Sequence, residues 1–121
     1  MTFIETVPPE RASGLLAEHY EFDRANLGGE LNLTRAFSLQ PEVFAAWKQL
    51  NGAIKAGMEL RRYELATIAA ARRLRSTYCM LAHGKILAEE FLDAGVVQTL
   101  AEAPDAAGLD AADRAVMALA E

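Results

Sequence analysis

The sequence predicts an all-α protein, and three observations carry that expectation. Alanine occurs 24 times and leucine 16 times in 121 residues, whereas Val, Ile and Thr together occur only 15 times. Alanine and leucine are strong helix formers, while β-branched residues favour strands. No stretch alternates apolar and polar residues for long enough to read as a strand. Apolar residues instead recur at three- and four-residue spacing between turn signals, the period of one helix face.

Residues 1–8 read as an extended segment, ending in Pro8-Pro9. A first helix is expected from about Pro9 to Asn26, with Leu15, Leu16, His19 and Phe22 at helical spacing, closed by Gly28-Gly29. Residues 30–40 read as irregular, with at most a short helical turn. Pro41 suits the first position of a second main helix, reaching about Lys55 and closed by Gly57. Its expected core face is Val43, Phe44, Trp47 and Leu50. A third helix is predicted over Leu60 to Leu74. A fourth is predicted over Thr77 to Leu92, with Asp93-Ala94-Gly95 read as a left-handed ending. A short helix is expected over Val96 to Glu102, then a loop over 103–109 with Pro104, Asp105 and Gly108. Asp110 is expected to cap the last helix, with Asp113 three residues on favouring its N-terminus.

Composition narrows the function classes. Residues 9–121 read as a single helical domain, since chains of this length usually form one core. Hydrophobic residues are 52% of the chain, too many for a disordered protein. Charged residues are 24% and leave no gap near the roughly 18 apolar residues of a membrane span, so no membrane partner is expected. A net charge of −5 argues against a nucleic-acid partner, which needs a basic surface. Met1 to Glu10 lacks a basic start followed by an apolar run, and the single cysteine cannot form an internal disulfide; the expected localisation is cytoplasmic. Small alanine side chains bury little area each, and aromatics are only 7%, so a thin core completed by homo-oligomerisation is expected. The last helix is still apolar at Val116, Met117 and Leu119 when the sequence reaches Glu121. The expectation is a domain cut from a longer chain or, second, a helix that docks on a partner.

The chemistry-bearing stretch runs from Glu64 to His83. Cys79 and His83 lie four residues apart on one predicted helix, so they share a face. Cys79 falls in the first turn of that helix, where the N-terminal partial charge favours a thiolate. An imidazole nearby can accept the thiol proton or stabilise the thiolate. Glu64 lies on the preceding helix, which an antiparallel pairing through Arg75-Ser76 brings near both groups as a proton shuttle. Ser76 fits the cap position just before the helix. Each residue also has an ordinary reading: Cys79 as a small buried apolar residue, His83 as a packed or surface histidine, Glu64 as a partner for Arg61 or Arg72, and Ser76 as a cap.

The stretch LRRYELATIAAARRLRSTYCMLAHGKILAEEFLDAGV resembles the core of the AhpD-like alkylhydroperoxidase and carboxymuconolactone decarboxylase superfamily, in its peroxidase-related subgroup. The redox branch of that family carries a glutamate, eleven residues, a cysteine, two residues, a second cysteine, three residues and a histidine. Here Glu64, Ser76, Cys79 and His83 keep that spacing, with serine at the first cysteine position. Arg62, Glu64 and Leu65 match the arginine-x-glutamate-leucine that opens the motif, and Asp93-Ala94-Gly95 matches its closing glycine. The segment with Pro41 and Trp47 resembles the helix preceding this core. The resemblance is carried by residues 58–96, extends more weakly over 10–57, and carries nothing beyond about 100.

The resemblance implies a helical bundle built around an antiparallel helix pair and assembled as a homo-oligomer. It implies an antioxidant peroxidase in which Cys79 attacks a hydroperoxide while Glu64 and His83 relay protons. The family often has a histidine just before the second cysteine, where this sequence has Tyr78. Ser76 replaces the resolving cysteine, and a hydroxyl cannot close a disulfide. The expected partners are therefore a small hydroperoxide and an external thiol that reduces the sulfenic acid. Ser76 could be natural or engineered. Two alternatives stay open: a redox-inactive oligomeric binding protein, and a decarboxylase-type enzyme acting on a small lactone acid through Arg62, Arg72 and Lys85. No cofactor is expected. No metal is expected either, since two histidines 64 positions apart and one cysteine form no ligand set. No phosphate loop or Ser-His-Asp pattern is present.

Overall fold

The computed structural model describes residues 3–103, 105 and 107–121, among which every regular element is helical. The α-helices are α1 (Gly14–Leu27), α2 (Asn32–Ala36), α3 (Pro41–Ala56), α4 (Leu60–Arg73), α5 (Thr77–Glu90), α6 (Ala94–Glu102) and α7 (Ala111–Ala120). The expected all-α class is thus observed. The chain forms two compact units, Met1–Ala53 and Ile54–Glu121, each with its own packing. Among the described residues, no helix is long and apolar enough to cross a membrane.

In the first unit, the helix expected from Pro9 begins later. Pro9–Arg11 form only a single 3₁₀ turn, and Ala12 and Ser13 are extended, so α1 starts at Gly14. Proline favours a helical start, but nothing in the sequence shows that the turn fails to propagate. At the other end Gly28 takes φ 80°, the left-handed conformation expected of a closing glycine. Leu16, Tyr20 and Phe44 form the buried apolar centre, with His19, Asp23, Thr34 and Ser38 buried beside them. Polar groups stitch this centre together. The Tyr20 hydroxyl donates to the Val7 carbonyl at 2.6 Å, and the Val7 N–H donates to Ser38 Oγ at 2.8 Å. The Leu31 N–H donates to the Asp23 carboxylate at 3.1 Å. Burial raises the Tyr20 phenol above its ordinary value of 10.0, although the nearby Arg35 charge acts in the opposite direction.

The α3 face differs from the expectation. Phe44 is 3% exposed and stacks on Phe37 and Trp47 at ring separations of 5.0 and 5.8 Å. Val43 and Leu50, however, are 52% and 62% exposed, and Trp47 is 40% exposed. Within the first unit they form an uncovered stripe at intervals of four and three residues, one side of a helix. Periodicity locates an apolar stripe but cannot show what covers it.

The second unit has a continuous aliphatic core. Leu65, Ile68, Ala69, Leu87, Leu100, Leu109 and Met117 bury together, with Met80, Val96 and Val97 packed against them. Each fully buried leucine or isoleucine contributes roughly 1.5–3 kcal/mol relative to exposure. α4 and α5 pair antiparallel: the Ser76 N–H donates to the Ala71 carbonyl at 2.8 Å where the helices meet, while Glu64, a little under two turns back along α4, reaches His83 well along α5. The connection turns at Arg75, which takes φ 55°, an uncommon left-handed conformation for a residue with a Cβ.

Asp93-Ala94-Gly95 does the opposite of what was expected. α5 ends at Glu90, and the N–H groups of Phe91 and Leu92 both donate to the Leu87 carbonyl, closing the helix without a left-handed residue. Asp93 is instead the extended residue before α6, which starts at Ala94 rather than Val96. Aspartate favours helix starts, and the glycine lies inside the new helix. Of the expected loop 103–109, Pro104 and Ala106 lie outside the described residues, as do Met1 and Thr2. Gly108 turns with φ 69°. Asp110 then caps α7 as expected, its carboxylate accepting the Asp113 N–H at 2.8 Å. That hydrogen bond is the main reason its carboxyl lies below the ordinary range. Asp113 is fully buried and meets Arg61 of α4 at 2.6 Å, an ion pair that fastens α7 to α4.

Candidate functional site

The α4–α5 hairpin positions every residue the motif singles out. Glu64 lies in the second turn of α4 with its side chain fully buried. Its Oε2 lies 2.5 Å from His83 Nδ1. With Glu64 ionised, its carboxylate accepts this hydrogen bond and His83 Nδ1 donates it. In the neutral ring, Nε2 is then the nitrogen free to exchange a proton with a third group. The His83 side chain is 22% exposed, so the pair connects a buried acid to the surface.

Cys79 is the third residue of α5, a free and partly buried thiol one helical turn before His83. Among the described residues no hydrogen bond joins the thiol to His83 or Glu64. The contact the structure makes is the carboxylate–imidazole pair, with the thiol on the adjoining turn of the same face. Ser76 occupies the position before α5 as expected, but its hydroxyl makes no capping hydrogen bond. Tyr78 is 41% exposed.

Two further residues join the site that sequence reasoning missed. Lys55, in the last turn of α3, places its Nζ 3.9 Å from Glu64 Oε1 and 4.6 Å above the Tyr63 ring. Tyr63 in turn lies 6.2 Å from the His83 ring. Glu64 Oε1 has no hydrogen-bond partner among the described residues, and the Lys55 charge at 3.9 Å stands opposite it. Tyr63 immediately precedes Glu64, yet the approach of Lys55 depends on the turn through Gly57, for which the sequence carries no register signal.

The ordinary pairing offered for Glu64 is not formed. Arg61 meets Asp113, and Arg72 meets Glu121. The basic residues considered for a lactone acid are likewise engaged with carboxylates: Arg62 with Glu59 at 3.5 Å, Arg72 with Glu121, and Lys85 with Glu89 at 3.7 Å. The second histidine has a structural place in the first unit. His19 Nδ1 accepts from Lys48 Nζ at 3.1 Å, its Nε2 faces the Pro41 carbonyl at 3.3 Å, and its ring stands edge-on to Phe44. Among the described residues, no group of three or more His, Cys, Asp or Glu side chains could hold a metal ion. No protein-family model matches the chain, and neither a curated protein nor a solved structure gives a significant match.

Proposed function

We propose that this chain is an AhpD-like, peroxidase-related protein that reduces small hydroperoxides through Cys79, with Glu64 and His83 as its proton relay. The observation that carries the reading is the 2.5 Å contact between a fully buried carboxylate and an imidazole one turn along the helix from the single thiol. Such an arrangement is costly to bury without a purpose, and it leaves the other imidazole nitrogen for proton exchange with a third group. In the proposed cycle the Cys79 thiol gives its proton to the imidazole, and the resulting thiolate attacks the outer peroxide oxygen as the O–O bond breaks. The alcohol leaves after taking a proton from the imidazole. Cys79 is then a sulfenic acid. An external thiol condenses with it, releasing water and leaving a mixed disulfide. A second external thiol resolves that disulfide, restoring Cys79 and leaving the reductant oxidised. Ser76 makes the external thiol necessary, and a thiol-rich cytoplasm supplies it.

Oligomerisation belongs to the same reading. The uncovered Val43, Trp47 and Leu50 stripe of the first unit is a face that association would bury. The second reading, a redox-inactive oligomeric binding protein, draws on the missing contact at the Cys79 thiol. The lactone-acid decarboxylase has no comparable support: among the described residues, none of Arg62, Arg72 and Lys85 contacts Glu64 or His83. Consumption of cumene hydroperoxide in the presence of dithiothreitol separates the first two. Wild type is expected to turn over and Cys79→Ser to fall to the background rate. Equal rates, together with slow alkylation of Cys79 at pH 6, establish the binding protein instead.

A further inference from the structure

The second unit carries a groove of about 410 Å³ away from the proposed redox site. Ile68 of α4, Met80 and Gly84 of α5, and Val97 and Ala101 of α6 line it. The volume lies in the range typical of small-molecule sites and the lining is almost wholly apolar. Gly84 sits at its buried floor, where a Cβ would stand 3.4 Å from Val97 Cγ1 and 3.6 Å from Ile68 Cδ1. On α5, Gly84 lies five residues beyond Cys79, about 140° around the helix, so the groove and the thiol open on different sides.

Among the described residues, the polar groups lining this groove are Lys85 and Gln98, with no acidic side chain. Lys85 pairs with Glu89 at 3.7 Å, but both side chains are well exposed. An exposed pair of this kind is worth little and is readily exchanged for another anion. The Gln98 amide likewise makes one long, exposed hydrogen bond, 3.3 Å to Glu102. An apolar trough with hydrogen-bond donors, one of them cationic, on its rim complements a molecule with an alkyl body and an anionic head. A second copy of the chain fits less well, because stable protein interfaces need roughly 800 Å² from each partner, more than one narrow trough supplies.

We propose that this groove binds an alkyl carboxylate of fatty-acid type, the chain lying over Gly84 and Ala101 and the carboxylate meeting Lys85 and Gln98. Calorimetric titration of the full chain with dodecanoate and, separately, with 1-dodecanol tests it. Dodecanoate is expected to bind saturably and more tightly than the alcohol. Lys85→Glu should weaken dodecanoate about 3- to 10-fold while leaving the alcohol unchanged. Gly84→Leu fills the floor, and Ala101→Phe fills the trough from the outer wall should the first variant fail to fold. Either is expected to abolish binding of both ligands with the far-ultraviolet circular dichroism retained. Cys79→Ser should bind dodecanoate like wild type, which separates this site from the proposed peroxidase activity. Absence of dodecanoate binding, equal affinity for acid and alcohol, or binding that survives Ala101→Phe would overturn the proposal. So would a change of oligomeric state in Ala101→Phe, which would assign the groove to a second copy.

Discussion

The two compact units solve the same problem, burying an alanine-rich helical sequence, in different ways. The first has a small apolar centre of Leu16, Tyr20 and Phe44, and much of its order comes from side chain to backbone hydrogen bonds: Tyr20 to Val7, Val7 to Ser38, and Leu31 to Asp23. The second buries a continuous aliphatic cluster and sets two fully buried carboxylates against partly exposed partners, Glu64 with His83 and Asp113 with Arg61. Hydrogen bonds hold a few groups in fixed geometry and each contributes about 1 kcal/mol net, whereas aliphatic burial accumulates with area. Each unit buries a carboxylate, but it is held differently: Asp23 in the first accepts the Leu31 N–H, whereas Glu64 and Asp113 in the second face the side chains of His83 and Arg61.

The largest test of that contrast is a cavity in the second unit. Leu87 is fully buried at the centre of the aliphatic cluster, so Leu87→Ala should cost about 2–5 kcal/mol in urea unfolding. The first unit should respond instead to loss of one hydroxyl. Tyr20→Phe keeps the ring and strands the Val7 carbonyl, at a cost of about 1–2 kcal/mol. It should also remove an alkaline limb. The phenol is raised in the folded chain, so its contribution is complete below the unfolded value of 10.0 and is lost as pH rises through the folded value. Wild type should therefore lose stability above pH 10 more steeply than Tyr20→Phe, read by thermal melting across that range. A Tyr20→Phe cost larger than that of Leu87→Ala would reverse the contrast. The smallest effect is a gain. Arg75 holds a left-handed turn between the two site-bearing helices, and Arg75→Gly should raise stability by about 1 kcal/mol.

Local chemistry made several features legible in the sequence. Pro41 opens α3, Gly28 closes α1 and Asp110 caps α7, each because one residue's own conformational or hydrogen-bonding preference decides the outcome. Asp93-Ala94-Gly95 misled because both of its signals are local and opposed, the aspartate favouring a start and the glycine an end. The helix–helix contact was partly legible: the spacing from Glu64 to His83 and the short Arg75-Ser76 link require an antiparallel pair, and the carboxylate does reach the imidazole. What spacing could not supply was long-range placement. Nothing local distinguishes Phe44, which is buried, from Val43, which is not. Nor does anything local bring Lys55 to Glu64 or send Arg61 to Asp113.

The central functional claim is that the Glu64–His83 pair serves the Cys79 thiol. The most direct measurement is the rate at which a sulfenic acid forms on Cys79, trapped with a dimedone probe and read by mass spectrometry after one equivalent of organic hydroperoxide. In wild type the adduct should appear on Cys79. In Glu64→Gln and His83→Ala it should form about 10²-fold more slowly, the scale of a lost acid–base contribution. No adduct in wild type, or adduct formation at the same rate in all three proteins, would contradict the claim and leave the buried pair as a structural feature of the hairpin.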